Sequence, residues 1–176
     1  MSDNFSCIER FIDNNFTSIN LTVQDGLAGD NVYCALQDDK GYIWFGTETG
    51  VSRYNGRNFE NFYMSDGLAD NEIFRIDQDS QGRIWFSAFN GEFSYYLDGK
   101  FHNARNDSTL ANMKTNSFYL NLFEDSEKKL WFSNGREILT FDVNNKTSHL
   151  EHKEIEGPFI NALKQKGNEV LSCCSL

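Results

Sequence analysis

Asp38-Asp39-Lys40-Gly41-Tyr42-Ile43-Trp44-Phe45 is written again, 41 residues later, as Asp79-Ser80-Gln81-Gly82-Arg83-Ile84-Trp85-Phe86. The shared pattern is Asp-x-x-Gly-x-Ile-Trp-Phe. Ahead of each copy stands the same short phrase, Asp25-Gly26-Leu27-Ala28 and then Asp66-Gly67-Leu68-Ala69. Self-similarity at a fixed period of this size marks a repeat architecture. Without a gap, the register runs over 25–95: Val32 falls on Ile73, Gly50 on Gly91 and Tyr54 on Tyr95. A weaker third copy, Asp125-Ser126-Glu127-Lys128-Lys129-Leu130-Trp131-Phe132, places its tryptophan 46 residues beyond Trp85, so about five residues are inserted before it. All three tryptophans of the chain therefore occupy one position of one unit.

Within a unit the order is an apolar run, an Asp/Gly turn, the Ile-Trp-Phe run, a Gly turn, a short run, an Asn-Gly or Asp-Gly turn, and a run containing Phe. This predicts four strands per unit joined as an antiparallel meander. The first unit (24–63) has strands near 32–37, 42–46, 51–54 and 58–63. The second (64–104) has them near 73–77, 83–88, 92–97 and 100–104. Asn55-Gly56 and Asp98-Gly99 offer the positive φ that tight hairpins use. The polar stretch 105–115 reads as a surface loop holding the insertion. A third unit follows at 116–152, with strands near 118–123, 129–133, 138–141 and 147–152. Two strands near 159–164 and 169–172 begin a partial fourth unit over 153–176. Ahead of the repeats, 1–15 is a lead-in, helical or irregular, in which Phe5, Ile8, Phe11 and Ile12 follow a possible Ser2/Asp3 cap. In 16–23, Ile19, Leu21 and Val23 alternate with polar residues as in a half-buried strand that belongs to no unit.

Four-stranded units of this length bury both faces only between neighbours, which predicts propeller blades around an axis, with the tryptophan packing between blades. Solenoid stacking of the same hairpins is the rival geometry. The orphan strand favours the propeller, where a strand from one terminus can latch the last blade.

Composition suits a folded sheet protein: 39% hydrophobic and 15% aromatic residues, with 16 Phe and one Pro, in 176 residues. The formal charge of −10 and the absence of any Lys/Arg run beyond Lys128-Lys129 argue against nucleic acid or an anionic lipid surface as partner. No stretch is long and apolar enough for a membrane helix, and Met1-Ser2-Asp3-Asn4 does not open a secretory signal. Cys7, Cys34, Cys173 and Cys174 show no C-x-x-C spacing. Cys34, within a strand, is expected to be a small core residue.

These motifs resemble the two-component regulator propeller repeat. The likeness rests on Asp25-Gly26-Leu27 and Asn31-Val32, on Gln37-Asp38 with Gly41 and Ile43-Trp44-Phe45-Gly46-Thr47, and on Gly50-Val51, Tyr54, Asn55-Gly56 and Phe59. The second unit has Ser87-Ala88 for Gly-Thr, and the third has Lys128 for glycine and no Gly-Leu opening. The resemblance covers about 16–141. It implies an incomplete propeller of about three and a half blades. It also implies an extracytoplasmic sensor region of a bacterial histidine kinase or hybrid two-component system, taking a carbohydrate-derived or other small extracellular ligand. No kinase segment, ATP site or membrane helix occurs in this chain, so it reads as part of such a sensor or as a short divergent copy. Remaining blades, or self-association, would cover its open faces.

Chemistry is sparse. The Asp-x-x-Gly-x-Ile-Trp stretch resembles the sialidase Asp-box, where the carboxylate closes a hairpin and the glycine takes the strained angle. Asp38, Gly41, Trp44 and Gly50, their second-unit counterparts Asp79, Gly82, Trp85 and Gly91, and Asp125 with Trp131 are accordingly read as scaffold. Glu72 and Asp77 point to opposite faces of a strand, as do His149 and His152, while His102 stands alone, so neither an acid/base pair nor a metal site is read. No G-x-S-x-G setting exists, and no cofactor is implied. The reading is a non-catalytic, ligand-sensing propeller segment. Its rivals are a protein-interaction propeller and a propeller enzyme like the streptogramin lyases, whose metal and histidine base the three scattered histidines support poorly. Binding is expected at one rim and near the axis, where the units disagree: Cys34 against Arg75, and Thr47-Glu48-Thr49 against Ala88-Phe89-Asn90.

Overall fold

The computed structural model describes residues 20–113, 119, 121–134, 137–142, 144, 147–152, 159–166 and 169–175. The lead-in 1–15 lies outside them. Three antiparallel four-stranded sheets follow one another along the chain, each with its strands in sequence order. The first holds β1 (Val32–Gln37), β2 (Ile43–Thr47), β3 (Val51–Tyr54) and β4 (Phe59–Phe62). The second holds β5 (Ile73–Gln78), β6 (Ile84–Ala88), β7 (Phe93–Leu97) and β8 (Lys100–Asn103). The third holds β9 (Asn121–Glu124), β10 (Lys129–Ser133), β11 (Ile138–Asp142) and β12 (Thr147–His152). β13 (Phe159–Lys166) and β14 (Glu169–Ser175) form a two-stranded sheet. The protein is all-β, an incomplete propeller of three blades and half of another.

The Ile-Trp-Phe strands are unbroken apolar runs because both their faces are covered; Trp44 through Thr47 and the whole of β6 are buried. Trp44 leaves the first sheet towards the second, its ring 5.7 Å from Phe86 and 5.3 Å from Tyr96. Trp85 repeats the move towards the third, 5.4 Å from both Phe132 and Phe141. Burying such a ring removes about 200 Å² from water, a gross gain of about 5 kcal/mol before ordering costs. The sheets converge at their first strands, β1 against β5 and β9 against β13, which is the fan of a propeller.

Several details depart from the sequence reading. The strand expected at 16–23 does not form over its described part: Thr22 caps a 3-10 turn, Val23–Asp25, and 16–19 lie outside the described residues. Asp25 is drawn back by the Thr22 amide and hydroxyl, so the alternating pattern is spent on a turn. The ungapped register also fails at the third strand. Phe45 pairs with Ser52, but Phe86 pairs with Ser94, and Ile84 pairs with Tyr96 where Ile43 pairs with Tyr54. Tyr54 therefore corresponds to Tyr96, not Tyr95, and the carbonyl of Gly50 to that of Glu92, because the second-to-third-strand turn of the second blade is one residue longer. Asp98 and Gly99 take positive φ (49° and 81°) in a two-residue hairpin, whereas Asn55-Gly56 sits in a longer turn.

The stretch 105–115 is not simply a surface loop. Asp107 caps the one-turn helix α1 (Ser108–Ala111), and Leu110 and Met113 enter the core between the second and third blades. Cys34 is half-buried at the margin of the first core rather than within it.

Candidate functional site

The repeated Asp-x-x-Gly-x-Ile-Trp segment folds identically three times. One oxygen of Asp38 accepts the amides of Lys40 and Tyr42 (3.0 and 2.9 Å), and the other accepts Nε1 of Trp44 (2.8 Å). Asp79 does the same with Gln81, Arg83 and Trp85, and Asp125 with Glu127, Lys129 and Trp131. Gly41 and Gly82 hold φ of 85° and 80°; Lys128 holds the same place at 69°. Both oxygens of each of these carboxylates are thus held by turn amides and a tryptophan. The indole bond was missed by sequence reasoning, although a buried Trp N–H needs a partner and Asp stands at constant spacing. Gly50 has a different task, since a Cβ there would lie 2.8 Å from the carbonyl of Phe62. Gly91, at φ 78°, belongs to the longer turn.

A concave site opens at the end of the sheets where the Asp turns lie. It is a cleft of about 700 Å³, open solvent included, between the first and second blades. Tyr42 and Tyr96 supply ring surface with the buried Trp44 behind them, and Arg53, Gln78, Gln81, Asp39, Asp98 and Lys40 supply the polar lining. Arg53 comes from β3 and crosses the gap, donating to the Tyr96 hydroxyl (3.1 Å) and to Glu60. Its guanidinium lies 4.8 Å from the Tyr42 ring centre and 5.3 to 5.5 Å from those of Trp44, Phe62 and Tyr96. Bonds to Glu60 and Tyr96 raise its pKa against the opposing effect of burial, which is the largest single influence. Gln78 holds the Asp39 amide at 3.0 Å and so ties the turn of one blade to the next.

None of the positions at which the first two units disagree, Cys34, Arg75, 47–49 and 88–90, lines this cleft. Thr47 closes its own turn on Gly50, Glu48 accepts the Asn31 amide, and Thr49 donates to the Ala28 carbonyl. Asn90 reaches the Ala69 carbonyl, while Phe89, about half exposed, lies with its ring centre 5.7 Å from that of Phe74. Burial pushes the Cys34 thiol up to about 12. Arg75 forks onto Asp77 with two 2.8 Å bonds, and burial raises the Asp77 carboxyl in spite of that partner. His102 stacks on Tyr95 and His149 is exposed on the third blade. Among the described residues no group of three or more His, Cys, Asp or Glu could hold a metal. Nor is any described helix long and apolar enough to cross a membrane.

Residues 26–49 and 67–90 match the family model of the two component regulator propeller. The chain carries two-component regulator propeller repeats. The extracellular domain of a hybrid two component system of B. thetaiotaomicron superposes with a TM-score of 0.69 at 17% identity, over 90% of this chain and 23% of that one. The extracellular domain of a one component system from the same organism gives 0.62 at 20% identity, over 93% and 21%. A second structure of that same protein's extracellular domain, described there as a hybrid two component system, gives 0.52 at 11% identity, over 83% and 28%. This chain thus spans about a quarter of the length of those chains, and the likeness is one of fold. No curated protein matches the chain.

Proposed function

We propose that this chain is a non-catalytic, ligand-sensing segment of an extracytoplasmic two-component propeller. It takes a small carbohydrate-type ligand in the cleft between the first and second blades. The observation that carries the reading is the lining of that cleft: ring surface from Tyr42 and Tyr96 flanked by two amides, a guanidinium and carboxylates. Ring faces suit the C–H faces of a sugar, and convergent amide and charged groups suit its hydroxyls. Sensing is supported by the position of the cleft between blades, where an occupant would bridge Gln78 and Gln81 of one turn to Lys40 of another. The saturated Asp turns and scattered histidines support a role without bond chemistry.

The test is calorimetric titration with a panel of neutral and acidic oligosaccharides. A binder found in the panel should lose about tenfold in affinity with Gln81→Ala or Lys40→Ala, as expected for removing one hydrogen-bonding group from a ligand, and should be recovered chemically unchanged. Binding indifferent to both substitutions would place the ligand elsewhere. Conversion of the sugar during incubation would overturn the non-catalytic part.

A further inference from the structure

The two ends of the blades differ in chemistry. The loops that lead into β1 and β5 meet the turns after β2 and β6 at the end opposite the cleft, tied by the Glu48 bond to Asn31 (3.0 Å) and by the Phe89 amide on the Glu72 carbonyl (2.9 Å). Over 20–33, 46–52, 61–74 and 86–94 there is no Lys or Arg, yet Asp30, Glu48, Asp70, Glu72 and Glu92 all fall here; of the cations bordering them, Arg75 is spent on Asp77 and Arg105 stands in the loop after β8. The other end holds Lys40, Arg57 and Arg83 in its turns and Lys100 at the start of β8. Among the described residues, the exposed large hydrophobic side chains Val23, Tyr33, Met64 and Phe89 all lie at the end opposite the cleft, among these carboxylates.

Two of the rings are placed there by a repeated irregularity. β1 slips its register between Val32 and Cys34, and β5 between Ile73 and Arg75, so Tyr33 and Phe74 are the bulged residues of successive first strands. A bulge re-aims its side chain out of the pleat. The two rings stack with centres 4.5 Å apart and planes 3° from parallel, and Phe89, 52% exposed, continues the row 5.7 Å from Phe74. The Tyr33 hydroxyl donates to Glu72 at 3.0 Å. Its pKa is raised by burial, then by that bond, and then by the charges of Glu72 and Glu48, so both carboxylates stand beside the rings. Aromatic faces flanked by carboxylates attract an ammonium or guanidinium group.

We propose that this end of the arc docks a partner protein through a segment presenting Lys or Arg beside an apolar side chain. The cation lies over Tyr33 or Phe89 and against Glu48 and Glu72. The surface is separate from the cleft, and its success or failure leaves the sugar reading untouched.

The experiment uses the whole chain and a fluorescein-labelled peptide alternating Arg and Trp, with a Glu/Trp peptide of equal length as counterpart, read by anisotropy. Glu48→Gln with Glu72→Gln keeps both acceptor oxygens and removes both charges; it should weaken the basic peptide about tenfold, and Phe89→Ala about fivefold. Glu127→Gln with Asp142→Asn removes two charges from the opposite end, outside the cleft, and should change affinity by about twofold or less, the size of general screening. Equal binding of the acidic peptide, an equal loss in the control pair, or no binding up to about 1 mM peptide overturns the proposal. Complete displacement by equimolar spermidine also overturns it, in favour of a small-cation site.

Discussion

Asp79 and Asp38 fill the same turn, but Asp79 has one more duty, and removing each should separate a hydrogen-bonding cost from a buried-charge cost. Asp38→Ala strands the Trp44 indole N–H in the core and opens two turn amides that water can reach. An unsatisfied buried donor costs about 1–3 kcal/mol and each exposed turn bond about 0.5–1, so about 3 kcal/mol is expected. Asp79→Ala does the same to Trp85 and also removes the partner of Arg83, whose Nε lies 2.6 Å from the carboxylate with only 7% of its side chain exposed. The guanidinium is already short of partners: Nη2 is buried with no hydrogen-bond acceptor among the described residues. Three ring centres 5.5 to 5.8 Å away, those of Trp85, Tyr95 and Phe141, offer it cation–π contact but no counter-charge. Breaking a buried pair from one side costs about 3–5 kcal/mol. The total, about 7 kcal/mol, is comparable with the whole stability of a typical domain. Arg83→Tyr, which installs the residue that the first blade carries at Tyr42, should bring the Asp79→Ala chain back to the Asp38→Ala level. Urea unfolding followed by tryptophan fluorescence and far-UV dichroism measures all three. Equal midpoints for the two single variants, or no rescue by Arg83→Tyr, would refute the buried-charge argument.

Lys128 takes the left-handed conformation that Gly41 and Gly82 take in the other blades, so Lys128→Gly should exceed Lys128→Ala in stability by about 1 kcal/mol, measured by urea midpoint. The alanine reference removes the exposed contacts of Lys128 with Ser80 and Glu124, leaving the backbone effect alone. Cys34 is neutral in the fold to higher pH than in the open chain. Its contribution is therefore full below its ordinary value of 9.0 and is lost as pH rises towards about 12. Cys34→Ala should flatten the fall of the unfolding midpoint across that alkaline window; an unchanged slope would count against burial as the cause.

What could be read in the chain was what a few adjacent residues decide. The Asp, Gly and Trp positions are local, because a turn amide finds its carboxylate within four residues and the indole within six. The register slip was hidden because two identities pulled the wrong way: Gly50 with Gly91 and Tyr54 with Tyr95 match in letter. Hydrogen bonding instead equates Ser52 with Ser94 and Asn61 with Asn103. The cleft was illegible for another reason. Arg53 meets Tyr96 across a blade boundary, and nothing near Arg53 in the sequence announces a partner 43 residues away. The aromatic row likewise needs two bulges to coincide in neighbouring sheets.

The third blade explains why the Asp-Gly-Leu-Ala phrase is present twice and then vanishes. In the first blade the Ala28 amide donates to Ser52, and Asn61 donates to the Gly26 carbonyl (2.8 and 2.9 Å). In the second, Ser94 and Asn103 hold Ala69 and Gly67 in the same way. Serine and asparagine are cross-strand neighbours in both sheets, and the third sheet pairs Leu139 with Leu150 at that place. A loop that shows its backbone to the sheet needs a polar clasp; leucine at Leu139, in the place of Ser52 and Ser94, offers none. Among the described residues, the third blade is closed by side chains at this place, Leu110 and Met113 from the insertion joining Leu139 in one core. The missing phrase, the inserted residues and the Ser-to-Leu exchange are thus one substitution of a hydrogen-bonded closure by a hydrophobic one, distributed over residues 103–150 but decided at a single cross-strand pair.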